Sequence, residues 1–411
     1  MMPCGILRGG KNVFELFAAI WERVTKEIAQ SSPLDLLIKG VAALILLALI
    51  YIGQSFWRQA RAWVARGLRP WWACCRRVAR AQAAVNEHGP GLWLTIKRQP
   101  PKAVDRLQNL DKLILTVANL KGGVGKTTLT VNLAAFFANP FEDQSRPSRR
   151  VLVIDLDFQG SCSSLLFAGS YWQPNDQQLS DASALISGLI QPVGQVGQRV
   201  ERINGARGIS AFYDLARIEN REMVRWLIGD ESVDIRYRLA EVLLSDAVLH
   251  NFDVILIDAP PRLTTASIQA LCASTHVLIP TILDPLSADA VGYFGRQLKA
   301  HEELWPQLKV MGVIGTLTNS HQSTEEKPVL SGAGDQLRAA LEGTTGRLRY
   351  VMSRNTTFEF PYEYSIRKSI PVARAAVQGV PYVSIGNNNA GRVVRAMFDK
   401  FGQEVDRRWH L

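Results

Sequence analysis

Between Leu113 and Ala138 the chain reads LILTVANLKGGVGKTTLTVNLAAFFA, and the order of its parts decides the fold. Leu113 to Ala118 is a short apolar run suited to a buried parallel strand. It leads into Lys121-Gly122-Gly123-Val124-Gly125-Lys126-Thr127-Thr128, and a helical stretch, LTVNLAAFFA, follows. Strand, glycine loop and helix give the geometry that a phosphate group needs. Small residues let backbone N–H groups point inward, and the helix N-terminus adds positive potential. Lys126 can reach the β- and γ-phosphates of a nucleotide, and Thr127 can offer a hydroxyl to Mg²⁺. The usual phosphate-loop pattern begins with a glycine, and Leu120 stands in that place here.

Further apolar runs follow the same plan. Val151 to Ile154 ends in Asp155-Leu156-Asp157-Phe158-Gln159-Gly160, and Val254 to Ile257 ends in Asp258-Ala259-Pro260-Pro261. His276 to Thr281 (HVLIPT) and Val310 to Thr316 (VMGVIGT) read as buried strands, the second running on to Asn319, and another strand is expected over Gly208 to Tyr213. Such runs alternating with helical patterns predict an α/β fold, a mostly parallel twisted sheet flanked by helices. Carboxylates at the C-terminal ends of its strands face the ligand crevice. About ninety residues separate Gly160 from Asp253, with a Gln/Gly-rich portion at Gln191 to Gln198. Such a stretch suits switches or partner surfaces.

The string KGGVGKTT, with a lysine at its start, resembles the deviant Walker A signature of the ParA/MinD family of P-loop ATPases. DLDFQG resembles that family's second motif, with Phe158 where proline is usual, and DAPP resembles its Walker B segment. The likeness extends over most of residues 110 to 400. It implies ATP and Mg²⁺ as cofactors, with Gly122, Gly123, Val124, Gly125, Lys126, Thr127 and Thr128 around the phosphates. Thr127, Asp155 and Asp258 would serve the metal, and Lys126 and Asp157 the chemistry, Asp157 by positioning the attacking water. Lys121 would reach across an ATP-dependent homodimer to the other copy's phosphates. Asn319 and the Pro280 region would read the adenine edge. A protein partner that activates hydrolysis is also implied. Arg354-Asn355 and Arg367 to Val372 resemble the family's closing element, whose basic side chains touch DNA phosphates in the DNA-binding members. Residues 343 to 375 hold six basic residues against two acidic ones, an excess that a solvated face would also account for.

The chain has 411 residues, 47% of them hydrophobic, and a formal net charge of +10. That content excludes disorder over most of its length. Residues 1 to 99 carry 14 Lys/Arg and 5 Asp/Glu, so nearly all the basic excess lies ahead of the ATPase-like region. There, Gly40 to Gly53 (GVAALILLALIYIG) is free of charge, the run continues to Trp57, and Arg58, Arg61, Arg66, Arg69, Arg76, Arg77 and Arg80 follow. Eighteen helical residues cover about 27 Å of a hydrocarbon core about 30 Å thick. Lys39 can snorkel at one end, and Tyr51, Trp57, Trp63, Trp71 and Trp72 supply interfacial rings at the other. The expectation is a single-pass inner-membrane protein that meets lipid through this helix, with its ATPase domain in the cytoplasm. Its parts are an amphipathic helical segment over 1–33, a transmembrane helix over 34–57, an Arg/Trp-rich juxtamembrane region and linker over 58–102, and the ATPase domain over 103–411. Asn12 with Glu15 resembles a capping box at the start of the first segment. Five cysteines without C-x-x-C spacing indicate neither a disulfide framework nor a zinc site.

These features point to a membrane-anchored dimerisation switch that positions or regulates a partner. Two alternatives are a polysaccharide-export-type bacterial tyrosine kinase and the ATPase of a phage-defence cassette. The closing FGQEVDRRWHL lacks the tyrosine cluster such a kinase would phosphorylate. No residue demands the defence role.

Overall fold

Apolar runs that alternate between two faces build the centre of the protein. In the computed structural model, nine strands are formed among the described residues: β1 (Leu113–Val117), β2 (Val151–Asp155), β3 (Gln198–Arg199), β4 (Ala206–Ile209), β5 (Val254–Asp258), β6 (His276–Ile282), β7 (Lys309–Thr318), β8 (Arg349–Tyr350) and β9 (Ile366–Arg367). The structure describes residues 22, 32–88, 98–139, 147–167, 181–188, 197–228, 233–319, 322–342, 349–350 and 357–411. The strands make one sheet in the order β3-β4-β2-β5-β1-β6-β7-β8, with β9 paired to β7. Every pairing is parallel except that of β3 with β4. The expected mostly parallel α/β fold is the one observed.

Strand side chains point to opposite faces in turn. Thus Ile114, Leu152, Ile154, Ile255 and Ile257 enter the core on one side of the sheet. Leu113, Leu115, Val117, Val151, Val153, Val254 and Leu256 enter the core on the other. Both faces are covered, as an all-parallel arrangement requires. The helices that matter below are α1 (Pro33–His88), α2 (Lys126–Ala138), α3 (Ser161–Leu166), α4 (Asp214–Ile228), α5 (Thr265–Ala273), α6 (Pro285–Ala300), α7 (Ser323–Leu341) and α8 (Asn389–Trp409). α2 follows the glycine loop and is buried along nearly its whole length. α8 packs over it at Gly402, where any Cβ would run into the Phe136 ring.

The chain divides into two compact units, Met1–Ala73 and Cys74–Leu411. α1 runs from Pro33 to His88 without a break, so no helix end separates the apolar run from the arginine-rich residues after Trp57. The residues after Trp57 are rich in Ala and Arg, which extend a helix readily, although Gly67 and Pro70 stand among them. Among the described residues no helix is long and apolar enough to cross a membrane. The described side chains from Leu44 to Ile52 are nevertheless exposed, with Leu44 at 68% and Ile52 at 62%. The segment expected to be amphipathic around residues 12–28 lies almost wholly outside the described residues, as does most of the Gln/Gly-rich portion. The strand expected over Gly208 to Tyr213 ends at Ile209. Beyond it the Ala211 amide turns to the Ser163 hydroxyl instead of a neighbouring strand.

Candidate functional site

Three chain features shape the phosphate loop at the C-terminal end of β1. Gly123 and Gly125 have φ of 73° and 81°, in the left-handed region that side chains strain to enter. Gly125 precedes α2 without a side-chain cap, so the first-turn amides are left for an anion. The neighbouring strands hold the loop in place. Thr316 donates its hydroxyl towards the Val124 carbonyl at 2.9 Å and the Thr281 carbonyl at 3.1 Å. Asn119 donates to the Pro280 carbonyl at 2.7 Å and accepts from the Lys121 amide at 3.0 Å.

The parallel register of β2 and β5 sets Asp155 beside Asp258. Both are buried. Thr127 donates its hydroxyl to Asp258 Oδ2 at 2.7 Å, whereas Asp258 Oδ1 is buried with no hydrogen-bond partner among the described residues. Burial pushes the Asp258 carboxyl up to about 7, against the pull of Thr127 and Lys126. Asp155 accepts from the Ser163 amide at 2.8 Å, the Ser163 hydroxyl at 2.7 Å and the Asp157 amide at 3.0 Å. Burial and the Asp258 charge still hold it well above the ordinary carboxylate range. Two buried carboxylates, an unsatisfied oxygen and a hydroxyl form an all-oxygen donor set, and it fits Mg²⁺. Among the described residues no three His, Cys, Asp or Glu side chains cluster to hold a metal by themselves.

Lys126 is buried at the inner end of the loop, where its ammonium donates to the Lys121 carbonyl at 3.1 Å. Burial lowers its pKa, and the facing Asp258 and Asp157 charges work the other way. Asp157 is half-buried, and its side chain accepts from the Gln159 amide at 3.1 Å in a tight turn. Lys121 stands on the outer rim. Its ammonium donates to the Ser287 hydroxyl and lies 3.5 Å from Asp284. The fold thus brings Lys121, Lys126, Thr127, Asp155, Asp157 and Asp258 to one end of the sheet.

The candidate base contacts are placed differently. Pro280 is buried within β6, and its carbonyl is taken by Asn119. Asn319 is exposed just beyond β7, its amide held by Glu326 at 3.0 Å, and Tyr362 donates to that same carboxylate at 2.6 Å. Arg367, Lys368 and Arg374 are exposed, while Arg354 and Asn355 lie outside the described residues. Sequence reasoning missed the supporting residues Asn119, Ser163, Asp284, Ser287 and Thr316. A signal existed for Asp284 alone, an Asp-Pro helix start directly after an apolar strand.

The AAA_31 family, an AAA domain, matches residues 112–310. The chromosome-partitioning ATPase Soj of Thermus thermophilus is 31% identical over 206 residues, 49% of this chain and 68% of that protein. The chain belongs to the ParA family of P-loop ATPases. The chromosome partitioning protein ParA of Caulobacter vibrioides matches this ParA-family ATPase at 29% identity over 232 residues, 56% of this chain and 79% of the relative. Among solved structures, pNOB8 ParA has a TM-score of 0.53 at 20% identity, covering 72% of this chain and 98% of its own. Apo McdA of Cyanothece has a TM-score of 0.51 at 21% identity, covering 72% of this chain and 98% of its own. At those identities the likeness shows a common fold. This member of the ParA family carries Phe158, 36% exposed and tilted against the ring of Tyr213, in the second motif.

Proposed function

We propose that this ParA-family ATPase is a membrane-associated dimerisation switch of the deviant Walker A type, whose ATP state sets its hold on a partner that it partitions or positions. The placement of Lys121 carries the reading. Lys126 already fills the inner end of the loop, and Lys121 stands outside it on the rim with a partly exposed ammonium. A cation there is badly placed for its own phosphates and well placed for those of a second copy.

ATP would lie against the amides of Gly122 to Thr128, with Lys126 on its β- and γ-phosphates. Mg²⁺, held through Thr127 and Asp258 with Asp155 nearby, would neutralise phosphate charge when bound. Asp157, fixed in its turn by the Asp155 and Gln159 contacts, orients the water that attacks the γ-phosphate. Lys121 leaves Asp284 and Ser287 and engages the opposing triphosphate, so that ATP favours the pair and hydrolysis dissolves it. A protein partner would time that step. The names of the relatives in Thermus thermophilus and Caulobacter vibrioides support chromosome partitioning, or a related positioning task, as the class of work.

The membrane part rests on α1. Its described apolar side chains from Leu44 to Ile52 are exposed, and Trp57, Arg58, Arg61 and Trp63 follow on the same helix, also exposed. Exposed apolar surface of that extent is stable in lipid, with arginines at the cytoplasmic headgroups. The inner membrane is therefore the proposed location. Two measurements test the function. Sedimentation of wild type, Lys121→Ala and Asp157→Ala with ATP should show pairing lost in the first variant and prolonged in the second. Carbonate extraction of cells should leave the full chain with the membranes, and its release into the soluble fraction would refute the anchoring.

A further inference from the structure

The segment after the magnesium-side aspartate holds a cation that the family motifs leave without a task. The backbone from Ala259 to Ala266 is fixed at several points. The Ala259 amide donates to the Val117 carbonyl at 3.2 Å, and Pro260 and Pro261 restrict the turn. Ser267 donates its hydroxyl to the Arg262 carbonyl. The Ala266 amide is taken by Glu219 of α4 at 2.7 Å. Pro261 lies 4.0 Å from where a Cβ on Gly122 would sit, so this turn runs alongside the phosphate loop at the residue next to Lys121. Arg262 lines the cleft there with Asn119 and Leu120.

Arg262 is exposed, and its guanidinium makes no hydrogen bond, ion pair or ring contact among the described residues. Several arginines elsewhere in this unit are engaged, Arg236 with Asp234, Arg408 with Glu404 and two carbonyls, Arg150 with Asp253, and what sets Arg262 apart from the other exposed ones is its place beside the phosphate loop. A pinned backbone carrying a free cation is a preorganised arrangement. Lys121 and Arg262 flank the same rim, and pairing of two copies through Lys121 would bury that rim. A guanidinium buried without an anion costs several kcal/mol, by order of magnitude. On the opposing rim the densest anion is the triphosphate.

We infer that Arg262 is a second cation acting between copies, reaching the triphosphate held by the partner and steadying the charge of its γ-phosphoryl group as that group passes to water. This rests on the dimer reading above. In the step it assists, the water oxygen bonds to the γ-phosphorus and the bond from that phosphorus to the β,γ-bridging oxygen breaks. ADP keeps the electron pair of the broken bond. Inorganic phosphate leaves with the water's oxygen, and the surplus proton passes to phosphate or solvent. Arginine suits the task because its charge and planar fork match phosphate oxygens.

The test uses the full chain in detergent and compares wild type, Lys121→Ala, Arg262→Ala and Arg262→Lys. Arg262→Ala should lower kcat by about 10²–10³-fold, the range for removing one donor that stabilises transition-state charge. The KM for ATP should change little, and Arg262→Lys should recover part of the rate. Mixing decides between copies. Asp157→Ala cannot orient its own water but still presents Arg262, so an excess of it should restore turnover to Arg262→Ala. A wild-type rate in Arg262→Ala, or a mixture that stays silent, would overturn the inference. If wild type pairs with ATP and Lys121→Ala does not, such a result strikes Arg262 alone. If wild type never pairs, the dimer reading falls and takes the inference with it. The Lys variant, with a melting curve matching wild type, separates a lost contact from a lost fold.

Discussion

Asp284→Asn should tighten the ATP-dependent pair without weakening the fold. In the structure Asp284 does three things: it caps α6 by accepting from the Ser287 amide at 2.9 Å, it accepts from the Ser287 hydroxyl at 2.5 Å, and it draws Lys121 towards itself at 3.5 Å. Burial pushes the Asp284 carboxyl up, but the hydrogen bonds from Ser287, and after them the Lys121 charge, bring it below its ordinary range. Asparagine caps a helix about as well as aspartate but carries no charge, so the substitution removes the ion pair and one of the two Ser287 contacts while the cap is kept. The two side chains are 36% and 41% exposed, which places the pair among those worth about 0.2–1 kcal/mol. Each dimer frees two lysines, one from each copy. The gain is then about 0.4–2 kcal/mol, a pair about 2- to 30-fold tighter at 1.4 kcal/mol per tenfold. Sedimentation across a concentration series, with ATP and in an Asp157→Ala background to suppress turnover, would read it. Unchanged or weaker pairing would refute the idea that Asp284 holds Lys121 back, and a large fall in Tm would show that the cap had been lost instead.

Three more outcomes follow from the packing and the site. Thr127→Ala removes the hydroxyl on Asp258, and the Mg²⁺ concentration for half-maximal ATP hydrolysis should rise by about tenfold or more; an unmoved magnesium dependence would contradict the assigned donor set. Gly402→Ala puts a methyl into the Phe136 ring, so the α8 packing should lose about 1–3 kcal/mol, seen as a lower Tm in thermal unfolding. Burial pushes the Glu404 carboxyl up, but hydrogen bonds from Arg407 and Arg408 bring it below its ordinary value. Its contribution to stability is therefore full above the unfolded pKa of about 4.3 and is lost as pH falls through the lower folded value. Glu404→Gln should abolish that part of the acid dependence and cost about 3–5 kcal/mol near neutrality, because Arg408 is left buried without its counter-charge. Urea unfolding at several pH values checks both.

The phosphate loop and the two aspartate-ended strands were legible because each is local. A buried parallel strand needs an unbroken apolar run, and its ligand-facing end needs a polar residue straight after it, so LILTVA, VLVID and VILID declare themselves. What holds the loop was not legible. Thr316 and Asn119 are distant in sequence from the atoms they bind, and only the sheet order brings β6 and β7 against the loop. Ser163 looks like an ordinary helix-start residue until the Asp155 carboxylate is seen to need its hydroxyl and amide. The tie between Asn119 and the Pro280 carbonyl was hidden for the same reason, since the two residues are far apart in sequence. At the other end, arginines and tryptophans after Trp57 looked like a boundary. Gly67 and Pro70 stand among them as helix breakers, yet α1 runs on through all of them.

The central claim is that ATP joins two copies of this chain through their phosphate-loop rims. Its most direct test is the sedimentation mass of the full chain in detergent with Mg²⁺, first with ATP and then with ADP. A protein mass that doubles with ATP and returns to one copy with ADP is the expected result, and the same mass in both nucleotides would contradict it.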